Sequence, residues 1–413
     1  MSSMKWIACS AVATVNLVAA LVCLPAAAQD SGAAAPAAAI AADGKAPPAT
    51  APAERSGGNR LIEEIIVTSQ KREENLQDVP ISVQAFTADK LDAQGVVTTK
   101  DLQLITPGLQ YDEVASFSVI FLRGVGTDVF LPTADGSVAT YIDGIYFPFA
   151  NSLAQDLGAL ERIEVLKGPQ GTLFGRNSTG GAISIITRAP TKTDTFSAQY
   201  SYGSFNESKL RLFMSGPVAD SLLASASIIH NTGDSFYDFT EDSPVQNIIK
   251  NRNTGVQAKL LWQIGDDLDA TVAGTRVQLQ GAGTSLFVQS EPKPLGTLVG
   301  QTADSGDPFE VALSAEPFNY TNNSVGSLTV NYRPAPFDVK LLTSYQSIET
   351  DSQNDYDAGK QDLVTFRSSN LFADVFTGEL QLISNDAGWQ ADRFKWIAGA
   401  YFIKSRGGFD PVD

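Results

Sequence analysis

The strongest constraint in the sequence is an alternation of apolar and polar side chains that begins after Pro190. In "FDVKLLTSYQ", Leu341 and Tyr345 share one face of an extended chain, whereas Lys340 and Gln346 lie on the other. This period of two predicts β-strands, because successive side chains of a strand point to opposite faces. About nine segments show the pattern, each near the ~10 residues of a tilted membrane-spanning strand: 195–203, 208–215, 222–231, 254–263, 268–278, 325–333, 337–347, 374–384 and 393–404.

The connections between these segments alternate in length. The short ones are 216–221, 264–267, 334–336 and 385–392, and the long ones are 232–253, 279–324 and 348–373. Tight turns at one end and long loops at the other are typical of a transmembrane barrel; only 204–207 departs from the alternation. A soluble β-sandwich also alternates apolar and polar residues, but it has no reason to separate loops by length. We therefore predict part of a transmembrane antiparallel β-barrel, with a soluble sandwich as the alternative.

Charge and residue usage exclude several classes of function. The formal net charge is −17, from 29 basic and 46 acidic residues, which disfavours binding to nucleic acid or another polyanion. The chain has a single histidine, His230, so a zinc site built on histidines or a histidine-based catalytic triad is not expected. Its two cysteines, Cys9 and Cys23, lie in the N-terminal apolar stretch. We predict no enzyme activity and no cofactor.

The N-terminus resembles an export signal followed by a tether. Lys5 precedes an apolar run from Trp6 to Leu24, and Ala26–Ala28 offers a small-residue cleavage site, so residues 1–28 are predicted to be a signal peptide. A membrane anchor or a buried helix is the alternative. Residues 29–60 are rich in alanine and proline and are predicted to be a flexible tether, because they cannot bury a core.

A compact α+β domain is predicted over residues 73–190. The pattern favours a helix from Ala88 to Ala93 with Thr87 as its N-cap. Strands ended by glycine turns are predicted in "SVIFLRGVG", "SVATYIDGIYF", "ERIEVLKG" and "GAISIITR". Before this domain, residues 61–72 contain the strand formers Ile65, Ile66 and Val67. That segment is too isolated for a hairpin, so its partner strand is expected to come from elsewhere.

The stretch "ERIEVLKGPQGTLFGRNSTGGAISIITRAP" raises the question of a phosphate-binding loop. Two of its glycines are five residues apart, as that motif requires, but Gly181-Ala182 follows them instead of Lys and Ser or Thr. Lys167 precedes the glycines, where it cannot reach a phosphate held by them. We interpret the stretch as strand, turn, loop and strand, with Pro169 beside the turn glycines.

These motifs together resemble those of the TonB-dependent outer-membrane receptors. "EEIIVTSQKREENLQDVPISVQAF" is similar to the family's TonB box and plug entry, and "FLRGVG" and "YIDGIY" to its internal plug motifs. "ERIEVLKGPQGTLFGRNSTGGAISIIT" resembles the C-terminal signature of the plug. "TGELQLIS" and "FKWIAGAYF" resemble early barrel strands, so the resemblance runs from about residue 61 to the end.

The resemblance implies a fold and a function. The expected fold is an α+β plug (73–190) inside a barrel of about 22 strands, of which residues 191–413 would supply the N-terminal part. Scaling the length of the nine predicted strands to about 22 strands predicts a full chain of roughly 700 residues, so the sequence here is expected to be truncated. The implied activity is uptake across the bacterial outer membrane with energy from TonB. The barrel would be surrounded by outer-membrane lipid. The expected ligand is a ferric siderophore. Cobalamin, a saccharide, or a passive porin-like or surface-binding role are the alternatives.

The resemblance also assigns residues. Glu64, Ile65, Ile66, Val67 and Thr68 would bind TonB by strand addition, unless they form an ordinary first strand of the plug. The plug motifs and the plug–barrel interface comprise Arg123, Gly124, Asp143, Gly144, Glu161, Glu164, Gly168, Pro169, Gly171, Gly175, Arg176, Gly180 and Gly181. Arg123 and Arg176 are expected to pair with inward barrel carboxylates, with Glu379 as a candidate, or else to be solvated.

An acidic stretch at 351–359, "DSQNDYDAG", has a spacing that could suit calcium. Tyr356 occupies the position where a calcium loop requires glycine. A solvated acidic outer loop is the preferred interpretation.

Overall fold

A computed structural model describes residues 65–409 except 97, 115–116, 128–135, 150–158, 236, 242, 247–249, 282–309, 356–359, 361, 363 and 389–392. The predicted signal peptide (1–28), the predicted tether (29–60) and Glu64 lie outside the described residues. No helix among the described residues is long and apolar enough to cross a membrane.

The N-terminal domain, residues 65–190, mixes short strands and short helices. Its elements in chain order are β1 (Ile66–Val67), β2 (Glu74–Asn75), β3 (Val83–Thr87), α1 (Ala88–Ala93), a 3₁₀ turn (Thr99–Asp101), α2 (Leu102–Ile105), β4 (Leu109–Val114), β5 (Phe117–Leu122), β6 (Val125–Gly126), β7 (Val138–Ile142), β8 (Ile145–Phe147), β9 (Leu160–Lys167), α3 (Gly171–Phe174) and β10 (Gly181–Thr187). Five strands form the main sheet in the order β3-β9-β10-β7-β8. Only the β10–β7 pair in that sheet is parallel.

The core of this domain lies between the main sheet and the helices. Phe86, Leu91, Ile163 and Ile183 are almost fully buried in one cluster. Helix α1 begins and ends where the sequence predicts, after an extended Thr87. The Thr87 side chain makes no capping hydrogen bond, so burial of Leu91 holds this short helix more than its cap does.

Beyond residue 190 the chain forms one antiparallel sheet of nine strands. Its strands are β11 (Thr195–Tyr202), β12 (Ser208–Ala219), β13 (Leu222–Gly233), β15 (Asn251–Ile264), β16 (Leu268–Gly281), β18 (Phe318–Tyr332), β19 (Phe337–Asp355), β20 (Thr365–Ser384) and β21 (Ile397–Gly408). Every predicted segment is confirmed as a strand. Several strands run further into the long connections than predicted, where polar residues hide the alternation. Two short strands in those connections, β14 (Asp238–Phe239) and β17 (Glu310–Val311), pair in parallel and were not predicted.

The nine-stranded sheet is apolar outside and polar inside. Seven neighbouring strands place apolar residues in one lateral row: Leu222, Trp262, Ala270, Val330, Leu341, Leu380 and Ala400. Trp262, Leu341 and Leu380 in this row are exposed. The opposite face carries buried polar groups, among them Lys259, Ser344 and Gln346. A protein in water buries its apolar side chains, so this inverted pattern is that of a membrane-spanning sheet.

Candidate functional site: the N-terminal domain against the nine-stranded sheet

Two of the predicted motifs are two-residue hairpin turns. Arg123 and Gly124 connect β5 to β6, and Asp143 and Gly144 connect β7 to β8. All four residues have positive φ, between 51° and 84°. Positive φ at both central positions defines a type I′ turn, in which Asp-Gly is favoured and an arginine at the first position is strained. The motifs "FLRGVG" and "YIDGIY" are therefore turn signals first.

Arg123 does not reach the nine-stranded sheet. Its guanidinium donates to Ser82 Oγ at 3.0 Å on an exposed part of the N-terminal domain. Burial and the nearby Arg123 charge lower the pKa of the Lys167 ammonium below its usual value, so Arg123 has a cation for a neighbour. The predicted pairing of Arg123 with Glu379 is wrong, because the β5–β6 turn fixes this side chain against its own domain.

Lys71 is the cation that meets Glu379. Its Nζ lies 3.4 Å from Glu379 Oε1 on β20, and both side chains are largely buried. The same ammonium lies 5.2 Å from the ring centre of Tyr141 and 5.0 Å from that of Phe174, within cation–π range. Arg176 lines the same cavity of about 220 Å³ as Lys71 and Glu379. The sequence pattern missed Lys71, since a lysine in a charged run gives no signal of burial.

The Tyr141 ring beside Lys71 is held by a hydrogen bond of its own. Its hydroxyl donates to the Phe174 carbonyl at 2.6 Å. Burial, and then the neighbouring Tyr146, raise the pKa of Tyr141 above its usual value, so the phenol keeps the proton that it donates. The aromatic wall around Lys71 is thus uncharged.

Asp143 joins the β7–β8 turn to strand β15. Its Oδ2 lies 2.9 Å from Lys259 Nζ, and the Lys259 side chain is only 8% exposed. Thr187 donates to the same carboxylate from its backbone N–H at 2.9 Å and from its hydroxyl at 2.7 Å. The sequence placed Asp143 at an interface between the two parts of the chain, and the structure puts it there with a lysine as its partner.

Glu164 acts within the N-terminal domain instead of at that interface, contrary to the prediction. Glu161 pairs with Arg162, and both line a cavity that is also lined by Lys259 of the nine-stranded sheet. Glu164 is fully buried, and its Oε1 accepts from Thr68 N–H at 2.9 Å, Thr68 Oγ1 at 3.2 Å and Arg162 Nε at 2.9 Å. The strand alternation of β9 turns Glu164 toward β1, where Thr68 and Arg162 engage its carboxylate.

The first strand is folded into the domain as a hairpin. β1 pairs with β2, with Ile66 opposite Asn75 and Val67 opposite Glu74. Val67 is fully buried against Val79 and Ala85. The expectation of a partner strand from elsewhere is wrong for this conformation. Two-residue strands joined by a polar loop give no period for a sequence pattern to detect.

Arg72 also connects this segment to the nine-stranded sheet. Its guanidinium donates to Ser384 Oγ at 3.0 Å and to the Trp396 carbonyl. A separate buried contact joins the two parts of the chain where Gln346 Nε2 donates to the Tyr146 carbonyl at 2.7 Å. Lys71, Arg72, Asp143 and Tyr146 therefore each connect the N-terminal domain to a strand of the nine-stranded sheet.

The glycine-rich signature contains a helical turn as well as the predicted reversals. Gly168 and Gly175 have positive φ, while Pro169 precedes α3, which begins at Gly171 and was not predicted. A Cβ at Gly180 would lie 2.9 Å from the Val125 carbonyl oxygen, and one at Gly181 would overlap that of Leu166. These last two glycines permit close strand packing.

The acidic stretch is not a simple solvated loop. Asp355 is fully buried at the end of β19, and its carboxylate accepts from the backbone N–H groups of Ser314 and Ala315. Residues 356–359 lie outside the described part of the chain. Within the described residues no group of three potential acidic, histidine or cysteine ligands gathers.

Comparisons with known proteins match both parts of the chain. Residues 75–182 match the TonB-dependent Receptor Plug Domain family. The pesticin receptor of Yersinia pestis is 30% identical over 176 residues, which are 41% of this chain and 25% of that protein. The vitamin B12 transporter BtuB of Vibrio vulnificus is 28% identical over 169 residues, which are 39% of this chain and 26% of that protein.

A solved receptor shares the fold across most of this chain. The ferric yersiniabactin uptake receptor FyuA from Yersinia pestis superposes with a TM-score of 0.67 and 19% identity, covering 80% of this chain and 50% of that one. The present chain thus spans about half the length of the solved receptor it resembles. The match at residues 75–182 identifies the N-terminal domain as a plug, and the shared fold extends into the nine-stranded sheet. Residues 75–182 therefore form a plug domain of the TonB-dependent receptor type, and the antiparallel sheet that follows shares the fold of the solved receptor.

Proposed function

We propose that this chain is part of an outer-membrane receptor that takes up a ferric siderophore with energy from TonB. The observation that carries the proposal is a plug tied to the polar inner face of a sheet whose outer face is apolar. Such a sheet suits a lipid surround, and a plug inside it would block passive flow. The activity is transport without covalent chemistry, and the acidic chain would bind no nucleic acid.

The ligand assignment draws on the relatives. One matched structure is described as a ferric yersiniabactin uptake receptor, which supports an iron chelate. The vitamin B12 transporter among the relatives keeps cobalamin as the second candidate, and a saccharide remains open. The predicted signal peptide (1–28), tether (29–60), TonB box region (61–72), plug (73–190) and barrel part (191–413) form part of the same proposal.

Residues Glu64 to Thr68 would contact TonB by strand addition. Leu76 N–H donates to the Ile65 carbonyl at 2.9 Å, so positions 65 and 67 form the hydrogen-bonded pairs with β2. In an antiparallel pair the intervening residue directs its N–H and C=O away from the partner strand. Ile66 therefore presents its backbone on the edge of β1 opposite to β2, where an added strand would bind.

This geometry sharpens the experiment on the TonB contact. Ile66→Pro removes an N–H that β2 does not use, so the hairpin is retained while strand addition is blocked. Ser69→Ala is the matched control, because Ser69 follows the strand and its substitution leaves every backbone donor in place. We expect Ile66→Pro to abolish TonB-dependent uptake of radiolabelled iron chelate and to leave ligand binding to cells intact. Wild-type uptake in that variant would refute the assignment of this segment.

A second experiment tests the transport class and the ligand. Cells carrying the full-length receptor are compared with and without TonB for uptake of ferric siderophores, cobalamin and sugars. Induction under iron limitation together with TonB-dependent iron uptake is the expected result. Uptake that persists without TonB would instead support a passive porin-like channel, and expression indifferent to iron would count against a siderophore.

A further inference from the structure

Two cavities lie in series between the plug and the nine-stranded sheet, and strands β15, β16 and β18 line both of them. The first, here called the mid-strand cavity, has a volume of about 50 Å³ and is lined mainly by apolar and small hydroxyl side chains, including Phe147, Ile229, Val277 and Ser227. The second, the polar cavity, has a volume of about 770 Å³ and is lined by charged groups that include Arg72, Glu73, Arg333 and Lys340.

The two cavities follow one another along the same strands. On β16, Ala273 lines the mid-strand cavity and Thr271 the polar cavity. On β18 the corresponding residues are Ser327 and Thr329. Residues two apart on a strand share a face and are separated by about 6.6 Å. The cavities are therefore consecutive sections of one inner surface, and the polar cavity lies toward the short turns.

An ion pair forms the partition between them. Asp143 and Thr187 line both cavities, while on β15 Gln257 lines the first and Lys259 the second. Lys259 Nζ lies 2.9 Å from Asp143 Oδ2 and donates to the Thr187 carbonyl at 3.2 Å. The bridge spans from a plug turn to the barrel wall and lies between the two cavities.

We propose that the Asp143–Lys259 bridge is the gate of a solute path that runs between the plug and strands β13 to β18. The plug side of the gate is a two-residue turn, Asp143–Gly144, which packs against Leu342 through a position with no side chain. Displacement of this turn, with release of its Thr187 contacts, would break the bridge and join the two cavities. The rest of the plug sheet need not unfold for that first step.

The chemistry of the path defines the solute that it suits. The polar cavity has the volume of a small-molecule site, which is roughly 300–1,000 Å³, and its wall offers both cations and carboxylates. A compact polar complex with charged and hydrogen-bonding groups fits such a wall, whereas an apolar solute would leave the polar groups of the wall without hydrogen-bond partners. This step deepens the proposed function, since it names the route by which an iron chelate would leave the plug.

The test uses the full-length receptor, purified and free of TonB. Ser227, which is buried and lines the mid-strand cavity, is changed to cysteine as a reporter for an anionic thiol reagent. Lys259→Met removes the charge from the gate but keeps a long apolar side chain, and Lys259→Arg restores the charge. Arg211→Met is the matched control, because Arg211 forms another plug–barrel ion pair, with Asp92 at 3.4 Å, away from the path.

We expect Lys259→Met to accelerate labelling of the reporter by about 10-fold or more, from the loss of a charge-assisted bridge. The same variant is expected to show ion conductance in planar bilayers, whereas Lys259→Arg and Arg211→Met stay slow and closed. Equal acceleration by Lys259→Met and Arg211→Met would overturn the gate, because general loosening of the plug would explain both. No change in labelling or conductance with Lys259→Met would overturn it as well.

The outcome is separable from that of the proposed function. TonB-dependent iron uptake is measured in cells with the wild-type receptor, while the gate is measured without TonB. Dependence on TonB together with an unresponsive Lys259→Met variant rejects the route alone. Uptake that does not depend on TonB rejects the proposed energy coupling, whereas a conducting Lys259→Met variant would still support the gate.

Discussion

Replacing Glu164 with alanine should release the first strand of the plug. The Glu164 carboxylate is fully buried, and one of its oxygens accepts both the backbone N–H and the hydroxyl of Thr68. Thr68 directly follows β1, so this contact closes the outer edge of the strand that we propose for TonB. Arg162 keeps Glu161 as a partner in the variant. The change therefore removes one acceptor and leaves the nearby cation paired.

The magnitude follows from the kind of bond that is lost. A hydrogen bond to a charged acceptor contributes about 1.5–3 kcal/mol. The two Thr68 bonds share one oxygen, and Thr68 is only half-buried, so we count them as a single bond of that strength. A free-energy change of about 1.5–3 kcal/mol corresponds to a 10- to 150-fold larger open fraction.

A cysteine at Ser69 provides the assay. Ser69 is fully buried and its hydroxyl has no hydrogen-bond partner among the described residues, so Ser69→Cys is a mild change. The native cysteines, Cys9 and Cys23, both fall in the predicted signal peptide. When closing is faster than labelling, the labelling rate follows the open fraction. Glu164→Ala should therefore raise the rate at residue 69 by about 10- to 150-fold.

Two controls separate release of the strand from unfolding of the plug. A cysteine in place of buried Ser178, in the glycine-rich signature, should stay slow in the Glu164→Ala background. Glu161→Gln, which alters an exposed carboxylate on the same strand, should leave the rate at residue 69 unchanged. An unaltered rate at residue 69 with Glu164→Ala, or a parallel rise at residue 178, would refute the reasoning.

Three further predictions concern other contacts. Val272→Lys, on the exposed apolar face, should lower the free energy of unfolding in lipid by about 2–4 kcal/mol. Thr271→Lys, on the polar face, should lower it much less, and equal losses in denaturant titrations would contradict the assignment of faces. Gly181→Ala should destabilise the plug by about 2 kcal/mol or more because the new methyl overlaps Leu166, while Gly171→Ala has open space; thermal melting distinguishes them. Lys71→Met and Glu379→Gln should be non-additive by about 1 kcal/mol in a double-mutant cycle on labelling at residue 69, and additive effects would show that the pair is not coupled.

The sequence predicted the barrel part better than the contacts inside it. Period-two alternation located all nine strands of the large sheet, because a strand between lipid and a polar interior alternates strictly. The ends of β18 and β20 were placed too far inward, at 325 and 374 instead of Phe318 and Thr365. These extensions contain runs such as "NYTNNS" whose residues are polar on both faces, so no alternation marks them.

The sequence predicted which residues belong to the candidate site better than it predicted the partners that they contact. The Arg-Gly and Asp-Gly motifs located both turns, yet the partner of Asp143 is Lys259, and that of Glu379 is Lys71. Each pair joins residues more than 100 positions apart, and one sequence holds no information on such distances. The partners of Glu164 were also missed: the sequence placed it at the plug–barrel interface, whereas its carboxylate is buried against Thr68 and Arg162.

The order of contacts along the chain indicates how a pull from the N-terminal side would act. Force applied before Ile65 first meets the bond from Leu76 N–H, then the pair at Val67, and then the contacts of Thr68 with Glu164. These contacts lie one after another, so they would break one at a time, each worth about 0.5–3 kcal/mol. The contacts of Lys71 and Arg72 with the nine-stranded sheet come next. Beyond them, β3 is at the edge of the main plug sheet and pairs only with β9 in it. It can detach while β9, β10 and β7 remain paired, and Asp143, in the turn after β7, stays bound to Lys259 until that turn is displaced. Release of the first strand and opening of the path are thus separate steps, which is why the reporters at residues 69 and 227 should respond to different substitutions.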